Sequence, residues 1–209
     1  PTSIGRPLSK EGESLSVSFN GQSHINTRVK RFGKSSVQFV AATDNLEATT
    51  VPDSFQFEDG DFTIEAYIRQ DTDGVGANSI FTIYDDSTNY LEFKFAAANA
   101  LSITSRRGGS SITALGGPEA GRTTSNYAPR EFMHVAASFD NQAQKMRLFR
   151  NGNLIQNVTF AASNNSFTSN VVIGENLTGY MDELRISDSA RYKAAFTPSA
   201  QRLAPDTDT

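Results

Sequence analysis

The sequence predicts an all-β fold, a sandwich of two antiparallel sheets, and three observations indicate it. Apolar side chains recur at every second position, as at Phe62, Ile64, Ala66 and Ile68, with polar residues between them. This alternation is typical of a strand with one buried face. Turn-forming residues separate such segments. Because about a dozen strands exceed what one open sheet usually holds, we expect two packed sheets.

Taken in chain order, the same alternation predicts the individual strands. They fall near residues 15–19, 37–39, 61–69, 79–84, 91–95, 101–103, 112–115, 133–139, 145–150, 154–160, 171–174 and 180–186. Asn151 and Gly152 separate two of these strands, and this dipeptide favours a two-residue hairpin turn. Only residues 189–195 are typical of a helical turn.

The pattern divides the chain into three parts. Residues 1–32 are predicted to be an N-terminal attachment arm, residues 33–198 the sandwich, and residues 199–209 an irregular or frayed tail. A long loop that contains the short strand at 112–115 is predicted over residues 105–130, and loops of that length are usually functional or mobile.

The composition excludes several classes of site. The 209 residues include no cysteine and only two histidines. Disulfides, thiolate metal sites, thiol catalysis and multi-histidine metal centres are therefore excluded. No apolar run is long enough to span a membrane, so membrane insertion is not expected. No basic and then apolar stretch follows Pro1, so no secretion signal is still attached, and we expect synthesis in a cytoplasm without dedicated export. A secretion signal that has been trimmed off is the alternative.

Charge is distributed unevenly along the chain. Residues 1–35 carry six basic and two acidic side chains, whereas residues 36–95 carry two basic and twelve acidic ones. This asymmetry predicts partner surfaces of opposite sign, with a basic arm that docks onto an acidic neighbour. The docking residues would be Arg28, Lys30, Arg31 and Lys34. Nucleic acid is not expected as a partner because the basic part is short and the chain's net charge is −4. A merely solvated surface is the alternative.

Four collinear segments carry a family pattern. They are residues 61–68 (Asp-Phe-Thr-Ile-Glu-Ala-Tyr-Ile), residues 133–140 (Met-His-Val-Ala-Ala-Ser-Phe-Asp), residues 148–155 (Leu-Phe-Arg-Asn-Gly-Asn-Leu-Ile), and residues 172–174 followed by residues 179–187. Their order and spacing resemble the concanavalin A-like lectin/glucanase superfamily, in its laminin-G-like branch. The closing residues 188–192 and 196–198 resemble the end of such modules in bacteriophage virion proteins, tail-fibre and decoration proteins among them.

The resemblance implies a jelly roll that often binds glycans and sometimes holds a structural calcium ion. We therefore expect a non-enzymatic structural or adhesion protein of a bacteriophage, located in the virion and made in the host cytoplasm. Its expected partners are other virion proteins, further copies of itself among them, and a host surface glycan. A capsid decoration protein with no glycan ligand is the alternative, and a glycoside hydrolase is a third. The family commonly has Trp where this chain has Tyr67 and Phe132, so the strongest sugar-stacking side chain is missing.

Asp182 is the candidate metal ligand. Alternation over residues 180–186 puts its carboxylate on the same face as Leu184 and Ile186, where it needs donors or a cation. The resemblance implies that Asp182 helps to hold Ca²⁺ together with backbone carbonyls, and oxygen ligands suit that ion. The alternative is that backbone amides donate hydrogen bonds to Asp182 and no metal is present.

No catalytic residue is predicted. Retaining glycosidases of this superfamily place two Glu around an Asp on alternate positions of one strand, and no strand here offers that triplet. His134 occupies the family's usual histidine position and is predicted to be a packed structural imidazole.

Ligand binding by aromatic side chains is the remaining prediction. Sugars stack on an aromatic ring, and their hydroxyls accept hydrogen bonds from polar side chains beside it or donate hydrogen bonds to them. The candidate residues at strand ends and in the long loop are Tyr84, Tyr90, Arg106, Arg107, Asn126 and Tyr127. Tyrosines that only cover the sandwich edge, with their hydroxyls in water, are the alternative.

Overall fold

Alternating apolar residues determine where the strands lie in the computed structural model. The structure describes residues 16–49, 57, 60–71, 78–96, 99–117, 131–161, 167–204 and 206. These residues form fourteen strands and contain no α-helix. Accordingly, none of the described segments is a helix of the length and hydropathy that crossing a membrane requires.

The strands are short, as is usual in a sandwich. In chain order they are β1 (Ser16–Asn20), β2 (His24–Asn26), β3 (Ser36–Phe39), β4 (Asn45–Thr49), β5 (Phe62–Gln70), β6 (Asn78–Asp86), β7 (Asn89–Phe95), β8 (Leu101–Arg107), β9 (Ser110–Gly116), β10 (Met133–Asp140), β11 (Lys145–Arg150), β12 (Asn153–Thr159), β13 (Val171–Ile173) and β14 (Gly179–Ser187).

Two antiparallel sheets of seven strands each make up the fold. The first sheet has the order β1-β4-β13-β6-β7-β8-β9, and the second has the order β12-β11-β10-β5-β14-β3-β2. Their inner faces pack against each other, and each sheet has one outer face. The predicted all-β, two-sheet jelly-roll sandwich is confirmed.

Phenylalanine side chains fill much of the space between the sheets. The ring of Phe62 stacks on Phe139 at a centroid distance of 4.9 Å and on Phe57 at 4.4 Å. Phe62 and Phe139 are fully buried. Burial of such a side chain contributes about 1.5–3 kcal/mol each. The core thus consists of the residues that the period-two pattern selects.

The prediction that residues 1–32 form an N-terminal attachment arm is wrong for residues 16–32. From Ser16 onward the chain is already part of the sandwich, because β1 pairs with β4 and β2 pairs with β3. The sequence pattern missed β2 because it is an edge strand of three residues, and edge strands tolerate polar side chains. Residues 1–15 lie outside the described residues.

A β-bulge in β14 corrects the predicted position of Asp182. The register of β14 against β5 shifts after Asp182, and Glu183 has a φ of 51°. As a result Met181, Leu184 and Ile186 all pack on the core although their spacing is not uniformly two. Asp182 therefore lies on the outer face of the second sheet, opposite Leu184 and Ile186, because a bulge reverses the side on which the following residues point.

Two further segments differ from the sequence prediction. Residues 189–195 form no helical turn and run without regular secondary structure. The predicted long loop begins as a hairpin in which Gly108 and Gly109, with φ of 55° and 83°, connect β8 to β9. Paired positive φ angles match the twist of a two-residue hairpin, so two adjacent glycines suit this turn. Residues 118–130 lie outside the described residues.

Candidate functional site

The outer face of the second sheet is covered by the chain's own C-terminal segment (residues 188–204). The Thr63 hydroxyl donates to the Ser189 carbonyl at 2.7 Å, and the Tyr67 hydroxyl donates to the Ser199 carbonyl at 2.6 Å. The backbone N–H of Phe196 donates to the Gly152 carbonyl at 2.9 Å. Residues 199–204 have no regular secondary structure and are hydrogen-bonded to the sheet, since the Leu203 N–H donates to Glu183 Oε2 at 2.8 Å. This face is therefore closed by intramolecular contacts.

Beneath the C-terminal segment lies a buried polar cluster centred on Glu65. One carboxylate oxygen accepts from His134 Nε2 and from the Tyr192 hydroxyl, each at 2.8 Å. The other oxygen accepts from Arg185 Nε at 2.8 Å and Nη2 at 2.6 Å. Glu65 is fully buried and His134 nearly so. His134, for which the sequence predicts a packed structural imidazole, lies on the face of β10 opposite the apolar set.

The pKa values in this cluster favour a fixed charge state. Burial alone raises the pKa of Glu65, but the His134 hydrogen bond and the Arg185 charge bring that pKa below its usual value. Burial and the nearby Glu65 charge raise the pKa of Tyr192. Glu65 thus remains an anion and Tyr192 a phenol at neutral pH. Apart from His134 Nδ1, which is buried without a hydrogen-bond partner among the described residues, the polar groups of this cluster bond to one another, and the cluster holds the C-terminal segment in place.

The outer face of the first sheet carries the tyrosine–arginine row, which consists of the exposed Tyr84 and the half-buried Tyr90 and Arg106. Tyr84 on β6 lies directly opposite Tyr90 on β7, and Tyr90 lies directly opposite Arg106 on β8. The two phenol rings stack at a centroid distance of 5.9 Å with an interplanar angle of 23°. Tyr84 is 55% exposed, the most exposed of the large hydrophobic side chains in the described residues. Three of the predicted ligand-binding residues are therefore brought together.

A second row of polar side chains runs beside the tyrosine–arginine row and was not selected from the sequence. Strand register aligns Thr82, Glu92, Thr104 and Thr113 across β6 to β9. The Thr104 and Thr113 hydroxyls are hydrogen-bonded at 3.1 Å, and Glu92 forms an ion pair with Lys94. The sequence could have indicated this second row, because Thr82, Glu92 and Thr104 each lie two positions from a residue of the tyrosine–arginine row. Residues two positions apart on a strand share a face.

The remaining predicted ligand residues do not join this row. Arg107 follows Arg106 and points to the other side of β8, where its guanidinium lies 5.0 Å from the centre of the Phe167 ring and 3.7 Å from Asp85. Asn126 and Tyr127 lie outside the described residues.

Hydrogen bonds between neighbouring turns fix one end of the tyrosine–arginine row. Gly108 N donates to Asn89 Oδ1 at 3.0 Å, which ties the β8–β9 turn to the β6–β7 turn. Within the second turn, Thr88 and Asn89 donate to Asp86 and lower the pKa of that carboxyl to about 2. The strand ends that carry the row are therefore held in a defined arrangement.

The contacts of Asp182 match the metal-free alternative, in which backbone amides donate hydrogen bonds to its carboxylate. Its Oδ2 accepts from the backbone amides of Arg31 at 2.8 Å and Phe32 at 3.0 Å, and its Oδ1 accepts from Glu183 N at 2.9 Å. Donor groups that point at both carboxylate oxygens are unsuited to a Ca²⁺ site, which needs oxygen ligands. Nor do three or more His, Asp or Glu side chains cluster as metal ligands anywhere in the part of the chain that the structure describes. The residues present therefore do not fit calcium at Asp182.

These same hydrogen bonds shape the basic loop (residues 27–35) between β2 and β3. Asn26 Oδ1 accepts from Arg28 N and Val29 N at 2.8 and 2.9 Å, and Phe32 packs edge-on against Tyr67. The loop is thus attached to the sandwich at several points and is not an extended arm. Its exposed cations are Arg28, Lys30, Arg31 and Lys34.

Comparisons with solved structures agree with this architecture. The binding domain of Paraclostridial Mosquitocidal Protein 1 superposes with a TM-score of 0.65 at 16% identity, over 87% of this chain and 46% of that one. A botulinum neurotoxin type C structure, described as interacting with two ganglioside molecules, gives 0.64 at 16% identity, over 86% and 44%. The CBM40 of the Ruminococcus gnavus IT-sialidase, bound to α2,6-sialyllactose, gives 0.53 at 16% identity, over 64% and 79%. The chain thus spans less than half of the two toxin structures.

Sequence comparison adds the family. Comparison with curated proteins finds no match. The Laminin_G_3 family, described as concanavalin A-like lectin/glucanases superfamily, matches residues 40–195. This match includes β4 to β14 and residues 188–195 of the C-terminal segment. The chain therefore belongs to the Laminin_G_3 family of the concanavalin A-like lectin/glucanase superfamily.

Proposed function

We propose that this protein is a non-enzymatic glycan-binding module whose ligand lies on the tyrosine–arginine row. The observation that carries the proposal is the exposed Tyr84 ring, stacked on Tyr90 and followed across the sheet by Arg106. An aromatic face that half protrudes into water provides apolar area for the C–H face of a sugar. The hydroxyl and charged groups of the neighbouring row supply hydrogen bonds to sugar hydroxyls.

The structural neighbours support a glycan ligand. One is a carbohydrate-binding module bound to sialyllactose and another is a toxin described with ganglioside molecules. The closed outer face of the second sheet supports the location, since the C-terminal segment occupies the surface that a ligand would need there.

The arrangement of carboxylates supports a role without catalysis. On the outer face of the first sheet, Glu92 and Glu47 lie three strands apart in the order β4-β13-β6-β7. With strands spaced at about 4.8 Å, their separation is roughly 14 Å. Glycosidases need two carboxyl groups about 5–9.5 Å apart.

Replacement of Tyr84 tests the proposed site. Tyr84→Ala removes the exposed ring and should weaken binding to the glycan that the wild-type protein retains by about tenfold, since aromatic contacts contribute about 1 kcal/mol or more beyond their buried area. A glycan array identifies the ligand, and isothermal titration calorimetry measures the affinity. Phe19→Ala is the matched control, because Phe19 is also exposed but lies on β1 at the far edge of the same sheet. Equal affinity of the Tyr84 variant and the wild type would contradict the proposed site.

We also propose that the protein is a component of a bacteriophage virion that the basic loop attaches to an acidic neighbouring subunit. The resemblance of residues 188–192 and 196–198 to phage virion modules supports the location. The loop supports the attachment: in the described residues, the side chains of Arg28 and Lys34 have neither an ion pair nor a hydrogen bond, and both are exposed. A capsid decoration protein that uses this loop and binds no glycan is the alternative.

Charge reversal tests the attachment without disturbing the fold. Removal of residues 1–32 would delete β1 and β2, so it is unsuitable. Arg28→Glu combined with Lys34→Glu should reduce incorporation of the protein into particles by at least tenfold while its melting temperature stays unchanged. Lys145→Glu is the control, because Lys145 lies on β11, next to the edge strand at the opposite end of the second sheet from the loop. Wild-type incorporation of the double variant, measured by quantitative immunoblotting of purified particles, would contradict the proposal.

A further inference from the structure

Arg106 differs from the other strand arginines because its charge has no acceptor. Six arginines lie on described strands. The other five donate to or pair with Asp71, Asp85, Asp140, Glu65 and the Asn99 carbonyl. In the described part of the chain, the Arg106 side chain has no hydrogen bond or ion pair, and its Nε is buried without a partner.

The nearby carboxylates are already engaged. Glu92, which lies one strand away on the same face, pairs with Lys94. Asp85 pairs with Arg107 and accepts from the backbone amides of Thr168 and Ser169 at 3.0 and 2.8 Å. A half-buried guanidinium without an acceptor is unfavourable, because its N–H groups lose water without replacement. An anion from outside the chain would supply what these carboxylates do not.

Arg106, whose guanidinium has no acceptor among the described residues, lies beside the tyrosines of the proposed glycan site. Tyr90 lies directly opposite Arg106 on the neighbouring strand, roughly 5 Å away. A sugar ring stacked on the tyrosines would therefore extend a substituent over the guanidinium. The planar guanidinium fork matches the two oxygens of a carboxylate better than it matches a hydroxyl.

We infer that the ligand is an acidic glycan whose sugar-borne carboxylate binds Arg106 while its ring stacks on Tyr84 and Tyr90. The inference rests on the proposed glycan-binding function and names the class of sugar. Uronic acids and sialic acids both present a carboxylate on a pyranose ring, and the experiment below distinguishes them.

Binding of defined oligosaccharides to the full chain tests the inference. The probes are oligogalacturonate and sialyllactose as the two acidic arms and lactose as the neutral arm. We expect the wild-type protein to bind one acidic probe at least tenfold more tightly than lactose, with an affinity that falls as salt increases. Arg106→Gln should lower the affinity for that acidic probe about tenfold or more and lower the affinity for lactose by a much smaller factor, because lactose has no carboxylate for the guanidinium to bind. Arg106→Lys should recover only part of the loss, because lysine has no bidentate fork.

The control separates a specific contact from net charge. Arg28→Gln makes the same change in net charge on the basic loop and should leave acidic-glycan binding unchanged. An equal effect of the Arg28 and Arg106 variants, or a preference for lactose, would overturn the inference. If Tyr84→Ala still weakened lactose binding in those cases, the proposed glycan site would stand although its acidic specificity had failed. Binding of neither probe class, with no effect of Tyr84→Ala on the array, would instead reject both.

Discussion

The Glu65→Gln variant should lose about 3–5 kcal/mol of unfolding free energy, the typical cost of removing one partner from a buried ion pair. Glu65 is fully buried, and it accepts hydrogen bonds from His134, Arg185 and Tyr192. The amide keeps the volume of the side chain but leaves the Arg185 guanidinium without a counter-charge under the C-terminal segment. In a domain of this size the loss corresponds to a fall in melting temperature of about 10 °C. Differential scanning calorimetry at neutral pH measures it.

The exposed ion pair of Arg69 and Asp71 provides the control for this variant. Asp71→Asn removes a carboxylate that is one-third exposed, so the free energy of unfolding should change by less than about 0.5 kcal/mol. Similar losses for the two variants would show that burial of Glu65 does not determine its contribution. A Glu65→Gln variant as stable as the wild type would contradict the structural role of the cluster.

The loss of folding stability at acidic pH provides a second measurement on Glu65. The pKa of folded Glu65 lies below its ordinary value of 4.5. The unfolded chain therefore takes up the proton first as pH falls, and the stabilisation present above pH 4.5 is lost as pH drops towards the folded pKa. The pKa values of Asp44 and Asp140 are lowered too, although burial raises both. Backbone N–H donors outweigh burial at Asp44, and the Ala143 N–H together with Arg147 and Lys193 does so at Asp140. Glu65→Gln should thus flatten the loss of stability below pH 4.5 without abolishing it.

The fold could be predicted from the sequence because one face of most strands is apolar. The period-two pattern located β5, β10 and the other long strands, and Asn151-Gly152 identified the turn between β11 and β12. The pattern missed strands β2 and β4 and misplaced Asp182 on β14. Edge strand β2 has three residues and needs no apolar face. The bulge in β14 interrupts the alternation of inward and outward side chains on which the pattern depends.

The candidate site was predicted only in part because register is a tertiary property. The sequence indicated Tyr84, Tyr90 and Arg106 separately, as residues near strand ends and in a loop. Their alignment in one row depends on how β6, β7 and β8 pair, and on a Gly108-Gly109 hairpin that was assigned to a long loop. The burial of Glu65 was also outside the reach of local patterns, since it depends on the C-terminal segment folding back over the sheet.

The Gly152→Ala variant should lose about 3 kcal/mol of unfolding free energy, because the C-terminal segment packs directly on this glycine. Gly152 has a φ of 79°, and a Cβ atom there would lie 1.9 Å from the Phe196 carbonyl oxygen and 2.8 Å from Pro198 Cδ. Backbone atoms cannot move aside as a flexible side chain can, so the segment must shift. Such a shift would weaken the Phe196 hydrogen bond to Gly152 and the stacking of Phe196 on Tyr192 at 3.7 Å.

Gly109→Ala separates the clash from the backbone conformation in this experiment. Gly109 has a φ of 83° in a comparable two-residue hairpin, but no atom lies within 4 Å of the position that its Cβ would occupy. The Gly109→Ala variant should therefore lose only about 1 kcal/mol of unfolding free energy, which is the cost of placing alanine in the left-handed conformation. Urea unfolding measures both losses, and limited proteolysis should cut the C-terminal segment sooner in Gly152→Ala alone. Equal losses and equal proteolysis in the two variants would mean that the C-terminal segment does not depend on the β11–β12 turn. In that case the closed outer face of the second sheet could no longer support the location of the glycan site on the first.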